Sequence, residues 1–328
     1  MSHSRLLDML LSRPGEFISG EEISRKLSIS RTAVWKQINK LREEGYEFEA
    51  VSRKGYRLVS KPERLEYSAL LHALDTASFG QTVKLLEVTT STQEEVRLLA
   101  EQGAAEGTLV IAEEQTIGRG RQGRKWHSPP GKGIWMSLLL RPKLPLSAAP
   151  QLTLLTAVAV CRAVRAVTGV NAGIKWPNDL LVDGRKVCGI LLESVGEDEM
   201  IRYCIAGIGI DVNLEEEDLP SELVPIATSL KMESGKKADR AVLIGAVMKE
   251  MEKLYELYME EGFSPIGHLW EAQSITTGRF ITVKTAQGEI SGRAIGLDAT
   301  GGLLLIGVDN QPTTIFSGEV QFDGCNSQ

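Results

Sequence analysis

The chain has 328 residues, of which 42% are hydrophobic and 24% are charged, as is ordinary for a globular protein with two or three domains. The formal net charge is −6, but residues 1–60 contain 11 Lys and Arg against 8 Asp and Glu, a net of +3, so the rest carries −9. This distribution argues against nucleic-acid binding over the whole surface and favours it near the N-terminus alone.

Residues 1–61 have the pattern of a winged helix-turn-helix domain. Leucines at helical spacing end at Pro14-Gly15, Ser19 and Glu22 form a capping box for a second helix, and Ser30 begins a third. An alternating hairpin, the wing, follows. The expected DNA contacts lie on the free face of the third helix and at the tip of the wing: Arg31, Thr32, Lys36, Gln37, Lys40, Arg53 and Lys54.

The alternative for this region is a small helical appendage for protein contacts, because charged helix faces are usually only solvated. The combined order of caps, turn and wing favours DNA binding. Trp35 could face either way on the third helix. A linker is predicted at Lys61-Pro62-Glu63.

Residues 66–274 alternate extended and helical patterns. A strand leads into Ser91, Thr92 and Gln93 at the start of a helix, where hydroxyls usually act as caps and can also hold a small polar ligand. A second strand ends at Gln115. Lys186 follows a predicted hairpin turn, and a lysine in that position is most often simply solvated.

The segment from residue 118 to 128 contains three glycines, three arginines, a lysine and a tryptophan. Glycines allow successive backbone N–H groups to converge on an anion, and guanidinium groups add forked donors. Trp126 offers a flat face for a purine. These residues fit a polyphosphate-binding loop and also a disordered Arg/Gly segment that binds nucleic acid loosely.

The four cysteines are Cys161, Cys188, Cys204 and Cys325. They show no CxxC spacing, and three lie in apolar runs, which indicates reduced structural thiols. We expect no signal peptide, because the N-terminus lacks a continuous apolar core. The longest apolar run is interrupted by Arg162 and Arg165 and predicts a core helix, so a cytoplasmic protein without membrane contact is expected.

Several motifs in order resemble those of the biotin protein ligases. They are Ser91-Thr92, Gln115, the run GRGRQGRKW from Gly118 to Trp126, the run KWPND from Lys175 to Asp179, Arg185-Lys186, and the run GIDVN from Gly209 to Asn213. The resemblance covers almost the whole chain, and the N-terminal domain extends it to the bifunctional ligases that also repress the biotin operon. The pair GRGRxGRxW and KWPND is very specific, whereas either alone is only suggestive.

The resemblance implies an ATP- and Mg²⁺-dependent ligase that activates biotin as biotinyl-5′-AMP. It would transfer biotin to a lysine of a biotin carboxyl-carrier protein, as in acetyl-CoA carboxylase or pyruvate carboxylase. A homodimer with biotinyl-5′-AMP bound would repress transcription at operator DNA. Two other hypotheses are a ligand-sensing transcription factor without chemistry and a lipoyl-type ligase.

The resemblance also implies roles for individual residues, with Lys186 and Arg121 as the catalytic pair. Biotin would contact Ser91, Thr92, Gln93, Gln115, Arg119, Gly120, Arg121 and Lys186. The nucleotide would contact Arg121, Arg124, Lys125, Trp126, Asn178, Lys186 and Asn213. Asp179 would either bind Mg²⁺ or order the site through a salt bridge. Gln93 stands where relatives often have Asn, and His127 receives no role.

Residues 275–324 change to short strands joined by turns, which predicts a small SH3-like β-barrel. A structural cap on the central sheet is the alternative. The expected fold class is thus α+β with three domains: a winged helix-turn-helix at 1–61, a biotin/lipoate ligase-like mixed β-sheet with helices at 66–274, and the barrel at 275–324.

Overall fold

A computed structural model of the chain describes residues 2–13, 15–43, 46–51, 54–60, 64–307 and 310–322. The chain divides into two units, Met1–Arg64 and Leu65–Gln328. The predicted linker and the predictions made for Pro14, Arg53 and Cys325 lie outside the described residues.

The first unit consists of three helices and a hairpin. The helices are α1 (Ser2–Leu11), α2 (Gly20–Leu27) and α3 (Arg31–Glu43), and the strands are β1 (Glu47–Val51) and β2 (Gly55–Ser60). Ser19 caps α2 by accepting a hydrogen bond from the Glu22 backbone N at 3.1 Å, which is one half of the predicted capping box. The Glu22 carboxylate accepts from Arg13 Nη1 at 3.1 Å instead. Leu6, Ile23 and Ile38 are fully buried in its core. The expected helices and wing are confirmed as secondary structure.

The wing is attached to the helices through Ile18, which pairs with Tyr56. Gly55 has φ +106°, and a Cβ there would lie 2.1 Å from the carbonyl oxygen of Ile18. Only glycine therefore allows the hairpin to lie this close to the chain before α2.

The second unit contains a seven-stranded mixed sheet in the order β3-β4-β5-β9-β8-β7-β6. Its strands are β3 (Val83–Thr89), β4 (Leu109–Gln115), β5 (Ile134–Leu140), β6 (Gly173–Lys175), β7 (Asp179–Val182), β8 (Arg185–Glu197) and β9 (Met200–Ile210). The β3–β4 pair is parallel, and the other neighbours are antiparallel. The expected mixed sheet is confirmed.

Helices cover both faces of this sheet. They are α4 (Tyr67–Ala73), α5 (Thr92–Glu101), α6 (Ala149–Thr168), α7 (Leu230–Ser234), α8 (Arg240–Glu261) and α9 (Phe263–Glu271). The apolar side of α5 packs on Val110, Leu139 and Ile205. On the other face, α6 packs between the sheet and α8. By length and composition α6 could cross a membrane, but most of its apolar window is buried inside the unit, as in a core helix.

The chain ends in a small antiparallel sheet in the order β13-β12-β11-β10-β14. Its strands are β10 (Phe280–Thr285), β11 (Gly288–Leu297), β12 (Leu303–Ile306), β13 (Pro312–Ile315) and β14 (Glu319–Phe322). The predicted all-β C-terminal region is confirmed. Its predicted closure into a barrel is not, because the described residues form an open sheet with β13 and β14 at the edges.

Three of the cysteines, Cys161, Cys188 and Cys204, are free and buried. Burial raises the pKa of the Cys161 thiol to about 11 and that of Cys204 to about 12. Burial also raises the pKa of Cys188. These thiols are therefore protonated at neutral pH and structural, as the sequence predicted.

Candidate active site and DNA-binding surface

Two glycines form a flat floor in the middle of the central sheet. Gly189 on β8 lies opposite Gly209 on β9, and the Trp126 ring lies against both. A Cβ at Gly209 would come within 2.5 Å of Trp126 Nε1, and one at Gly189 within 2.9 Å of the same ring. The absence of two side chains thus makes the space for an indole on the sheet.

Lys186 lies beside this floor with its ammonium group held by two neighbours. Its Nζ is 2.7 Å from Asp179 Oδ1 and 5.1 Å from the centre of the Trp126 ring. Its backbone is also held, because its N–H donates to Ile226 O at 2.8 Å and its C=O accepts from Thr228 N at 2.9 Å. The side chain is only 32% exposed, so Lys186 is not the freely solvated hairpin lysine that its local sequence would allow.

Asn178, which precedes Asp179 in the chain, contacts the Gly/Arg segment. It follows a cis Trp176–Pro177 bond, and its Nδ2 donates to Ile190 O at 2.7 Å. With the amide held in this way, Asn178 Oδ1 accepts from Arg121 Nη1 at 3.0 Å. Burial lowers the pKa of Arg121, yet an arginine stays charged at neutral pH. The guanidinium group is therefore a fixed positive charge at the edge of the floor.

The Gly/Arg segment is an ordered turn and not a disordered tail. Gly120 N donates to Arg124 O at 2.8 Å, and Trp126 N donates to Gly118 O at 2.9 Å. A Cβ at Gly118 would lie 2.4 Å from the Trp126 carbonyl oxygen, so only glycine fits there. The turn places Trp126 against the sheet, and its three arginines contact other segments of the chain.

Each arginine of this turn contacts an acceptor far away in the sequence. Arg119 forms an ion pair with Glu94 on α5. Arg124 Nη1 donates to Glu319 Oε1 on β14 at 2.9 Å. This hydrogen bond is the main cause that raises the pKa of Arg124 and lowers that of Glu319. Lys125 is exposed. Neither Glu94 nor Glu319 was predicted, because no local pattern marks them.

His127, which received no role from the sequence, contacts the backbone. Its Nε2 lies 2.9 Å from Asp218 O. The contact joins the end of the Gly/Arg segment to the loop after β9, which gives His127 a structural role.

Polar side chains connect the start of α5 with the end of β4. Gln115 Oε1 accepts from Thr92 N at 2.9 Å, and Gln115 Nε2 donates to Ser128 Oγ at 3.0 Å. Thr92 Oγ1 also lies 2.7 Å from Ser137 Oγ. Ser91 caps α5 by accepting from the Gln93 backbone N at 3.3 Å. The structure thus gives Ser91 its ordinary capping role and joins Thr92 to Gln115.

Gln93 faces Gly207 on β9. Its Nε2 donates to Glu193 Oε2 at 2.9 Å and to Leu191 O at 3.2 Å. A Cβ at Gly207 would lie 2.8 Å from the Gln93 side chain. Gln93 is only 4% exposed, and within the described part of the chain its Oε1 has no hydrogen-bond partner.

Asn213 and Asp211 stand at the end of β9 with different surroundings. Asn213 Nδ2 donates to Ala238 O, and Asn213 Oδ1 accepts from Ala238 N, both at 3.0 Å. Asp211 is 5% exposed, and burial raises the pKa of its carboxyl group well above the usual value, while Lys186 opposes the shift. We did not single out Asp211 in the sequence, although it lies inside the GIDVN run.

The surroundings of Asp179 bear on the two roles expected for its carboxylate. The described residues contain no group of three or more His, Cys, Asp and Glu side chains that could hold a metal ion. The carboxylate of Asp179 is paired with Lys186 instead. This contact favours the salt-bridge alternative for Asp179.

In the first unit, α3 carries an exposed polar face. The expected DNA contacts that are exposed are Arg31, Thr32, Lys36, Lys40 and Lys54. The prediction that Gln37 lies on the free face of α3 was wrong: this side chain is 8% exposed. Successive helical residues turn by about 100°, which puts Gln37 on the same side as the buried Val34 and Leu41. Arg53 lies outside the described residues.

Three family models match the chain. The Biotin/lipoate A/B protein ligase family matches residues 85–212, an HTH domain matches residues 3–57, and the Biotin protein ligase C terminal domain matches residues 276–323. The first match contains the Gly/Arg segment, Asn178 and Lys186.

Curated relatives extend the similarity to most of the chain. The bifunctional ligase/repressor BirA of Bacillus spizizenii is 49% identical over 92% of this chain and 92% of its own length. That of Escherichia coli K12 is 33% identical over 89% of this chain and 88% of its own length. The biotin protein ligase from Aquifex aeolicus in complex with biotin and ATP is 32% identical with a TM-score of 0.64, covering 74% of this chain and 98% of that one. The chain therefore belongs to the family of bifunctional biotin protein ligases and repressors.

Proposed function

We propose that this protein joins biotin to AMP at the expense of ATP, transfers the biotinyl group to a lysine of a biotin carrier protein, and represses transcription when the adenylate is bound. One observation carries the ligase proposal. The ammonium group of Lys186 lies beside the Gly189/Gly209 floor, between Asp179 and the Trp126 ring. A positive charge held beside this floor suits a reaction between two anions.

The first reaction joins a carboxylate to a phosphate. A biotin carboxylate oxygen attacks the α-phosphorus of ATP, the bond from phosphorus to the bridging oxygen breaks, and pyrophosphate leaves. Both reactants are anionic, so the barrier is largely electrostatic, and a cation already in place lowers it. We assign this role to Lys186, with Arg121 as the second fixed charge.

Asp179 supports this assignment as an orienting group. The ion pair holds the Lys186 ammonium group in one position before substrates bind, which reduces the reorganisation needed in the transition state. If Mg²⁺ takes part, it would arrive on the polyphosphate, the usual way for this ion to bind at nucleotide sites.

The nucleotide end of the site is assigned to Trp126, Arg124, Lys125 and Asn178. The indole lies on the glycine floor, and we assign it to stacking on adenine. Arg124 and Lys125 would contact phosphates, and for Arg124 this requires exchanging Glu319 for the ligand. Asn213 is the weaker candidate, since Ala238 already uses its amide.

The biotin end is assigned to the polar residues around Thr92 and Gln115, closed by the Gly/Arg turn. Amide and hydroxyl groups at this place can pair with the N–H and C=O of a ureido ring. The assigned residues are Ser91, Thr92, Gln93, Gln115, Arg119, Gly120 and Arg121. The buried Oε1 of Gln93 is an acceptor still available for a donor group.

In the second reaction the amine of the carrier lysine attacks the mixed anhydride carbonyl, and AMP leaves. This step needs no covalent intermediate on the protein. The three described cysteines are buried with raised pKa values and so are unsuited as nucleophiles. The carrier would be the biotin domain of a carboxylase, such as acetyl-CoA carboxylase or pyruvate carboxylase.

The ligase proposal is tested with purified full-length protein, labelled biotin, ATP, Mg²⁺ and a biotin carrier domain. We expect label on the carrier and pyrophosphate release that depends on biotin. Binding of biotin without transfer would support a ligand-sensing transcription factor instead. Transfer of lipoate in place of biotin would support a lipoyl-type ligase.

The repressor proposal rests on the helix-turn-helix unit, with Arg31, Thr32, Lys36, Lys40 and Lys54 as its DNA contacts and Arg53 as a further candidate. A dimer would present two such units to a two-fold operator, and loop ordering by biotinyl-5′-AMP would favour that dimer. Sedimentation and operator affinity should both increase with the adenylate. If neither changes, this coupling is absent.

We propose a division into residues 1–61, 66–274 and 275–324, with the protein acting in the cytoplasm. The last segment would be an SH3-like module. Its contacts from Glu319 to Arg124 and from Ser317 to Arg121 support a contribution to the nucleotide site beyond that of a structural cap.

A further inference from the structure

Trp35 is an unusual residue on the exposed face of α3. Its side chain is 54% exposed, whereas tryptophans are on average highly buried. It takes no part in the first unit's hydrophobic core, which α3 reaches through Val34, Ile38 and Leu41. Because the exposed indole contributes nothing to the core, we looked for a ligand that it could contact.

The helix places Trp35 among polar residues that can read or approach nucleic acid. At about 100° per residue, Trp35 lies between Arg31 and Asn39 along one side of α3, with Thr32 and Lys36 next to it. Asn39 Oδ1 accepts from Arg42 Nη1 at 3.3 Å, which orients its amide. The only acidic residue of α3 is Glu43, the last one.

The composition of this face selects duplex DNA over a protein or a membrane. Among the described residues of the first unit, Trp35 and Val59 are the large hydrophobic side chains that are exposed, so no apolar patch of the size of a protein interface exists around the indole. A membrane-surface helix would need a continuous apolar face. A single aromatic ring within a basic face instead matches a groove lined by phosphates.

We propose that Trp35 contacts a thymine methyl group in the major groove, and that Asn39, one turn further along α3, reads an adenine beside it. This inference rests on the proposed DNA-binding function. In helix-turn-helix domains the second helix of the motif, which is α3 here, lies in the major groove and reaches the base edges. The thymine methyl is the apolar feature of the major groove, and Asn pairs bidentately with adenine N6 and N7. Thr32 adds a methyl group on the same side.

The two residues therefore determine a preference for T and A in the half-site under α3, whereas Lys36 and Lys40 contact phosphates without reading sequence. Asn39 thus takes the place of Gln37 as the side-chain amide expected to contact a base, because Gln37 is buried and Asn39 is not.

The test begins with the full-length protein, biotin, ATP and Mg²⁺, and a random duplex library from which retained sequences are recovered. We expect half-sites that contain T and A at fixed adjoining positions. Replacing the selected thymine by deoxyuridine removes only the methyl group. It should weaken binding by wild type about three- to tenfold, a typical size for one apolar contact.

The variants Trp35→Ala and Trp35→Phe test whether the Trp35 side chain is the group that contacts the thymine methyl. We expect Trp35→Ala to bind the thymine and deoxyuridine duplexes equally well, and Trp35→Phe to keep part of the difference. Asn39→Ala should lose discrimination against 7-deazaadenine at the adjoining position. Lys36→Ala is the matched control, and it should weaken binding to all duplexes evenly and reduce the salt dependence.

Two results would overturn the proposal. One is that Trp35→Ala keeps the full preference for thymine over deoxyuridine. The other is that the selected half-sites show no fixed T and A, although specific binding occurs. If wild type retains no duplex under any condition, the DNA-binding function itself fails, and the base contacts fail with it.

Discussion

The Nζ of Lys186 and the Oδ1 of Asp179 are 2.7 Å apart, across the neighbouring strands β8 and β7. The pair explains how a lysine next to a hairpin turn is held beside the Trp126 ring. It also yields a separate expectation for each partner.

Lys186→Ala should slow biotin-dependent pyrophosphate release by about 10²- to 10³-fold, the usual effect of removing one group that stabilises transition-state charge. The substitution leaves β8 intact, so the circular dichroism spectrum should not change. Lys253→Ala, at an exposed position on α8, is the matched control. Loss of the folded spectrum in Lys186→Ala would make this lysine structural.

Asp179→Asn separates the two roles considered for the carboxylate. If it orients Lys186, kcat should fall while the Mg²⁺ concentration for half-maximal activity stays the same. A large increase in that Mg²⁺ concentration would instead identify Asp179 as a metal ligand. The measurement is a Mg²⁺ titration of pyrophosphate release at saturating ATP and biotin.

Gly209→Ala should disturb the nucleotide end of the site. The new methyl group would lie 2.5 Å from Trp126 Nε1, so the indole must leave its position on the sheet. We expect KM for ATP to increase about tenfold, equivalent to about 1.4 kcal/mol of lost binding. Gly267→Ala on α9 is the control, since its Cβ would meet nothing closer than 3.5 Å. An unchanged KM in Gly209→Ala would mean that Trp126 does not bind the nucleotide.

Glu94→Gln should loosen the Gly/Arg turn at its biotin end. The substitution removes the charge that Arg119 contacts but keeps the shape of the side chain. Since the pair is partly exposed, the effect should be modest, with the Kd for biotin increased up to about fivefold and the Kd for ATP unchanged. Biotin titrations by calorimetry would show it. Equal changes in both constants would indicate a general loss of structure.

Asp211→Asn should stabilise the protein at neutral pH. Burial raises the folded-state pKa of Asp211 well above 3.8, so above pH 3.8 the unfolded state releases a proton that the folded state keeps. Asp211 therefore costs stability increasingly as pH rises from about 4 toward its folded pKa. Thermal unfolding should show a Tm higher by a few degrees in Asp211→Asn at pH 7, with a smaller difference at pH 4. The same difference at both pH values would contradict this.

Local patterns in the sequence determined a large part of this protein. The capping residue Ser19, the spacing of Ile23, Val34 and Ile38, and the alternation of the wing each depend on neighbours a few residues away. Even the burial of Gln37 follows from helical spacing alone, so the sequence contained the information that our prediction missed. The KWPND and GRGRxGRxW motifs identified the family for the same reason, because each is a short continuous run.

Contacts between distant segments were decided only by the tertiary structure. Arg119 contacts Glu94, Arg124 contacts Glu319, and Trp126 lies on Gly209 because the order of strands brings these segments together. The hydrophobic periodicity of a sequence does not predict such pairings, since they depend on which strands become neighbours in the sheet. The same holds for Lys186, which local sequence would leave in solvent and which the pairing of β7 with β8 joins to Asp179.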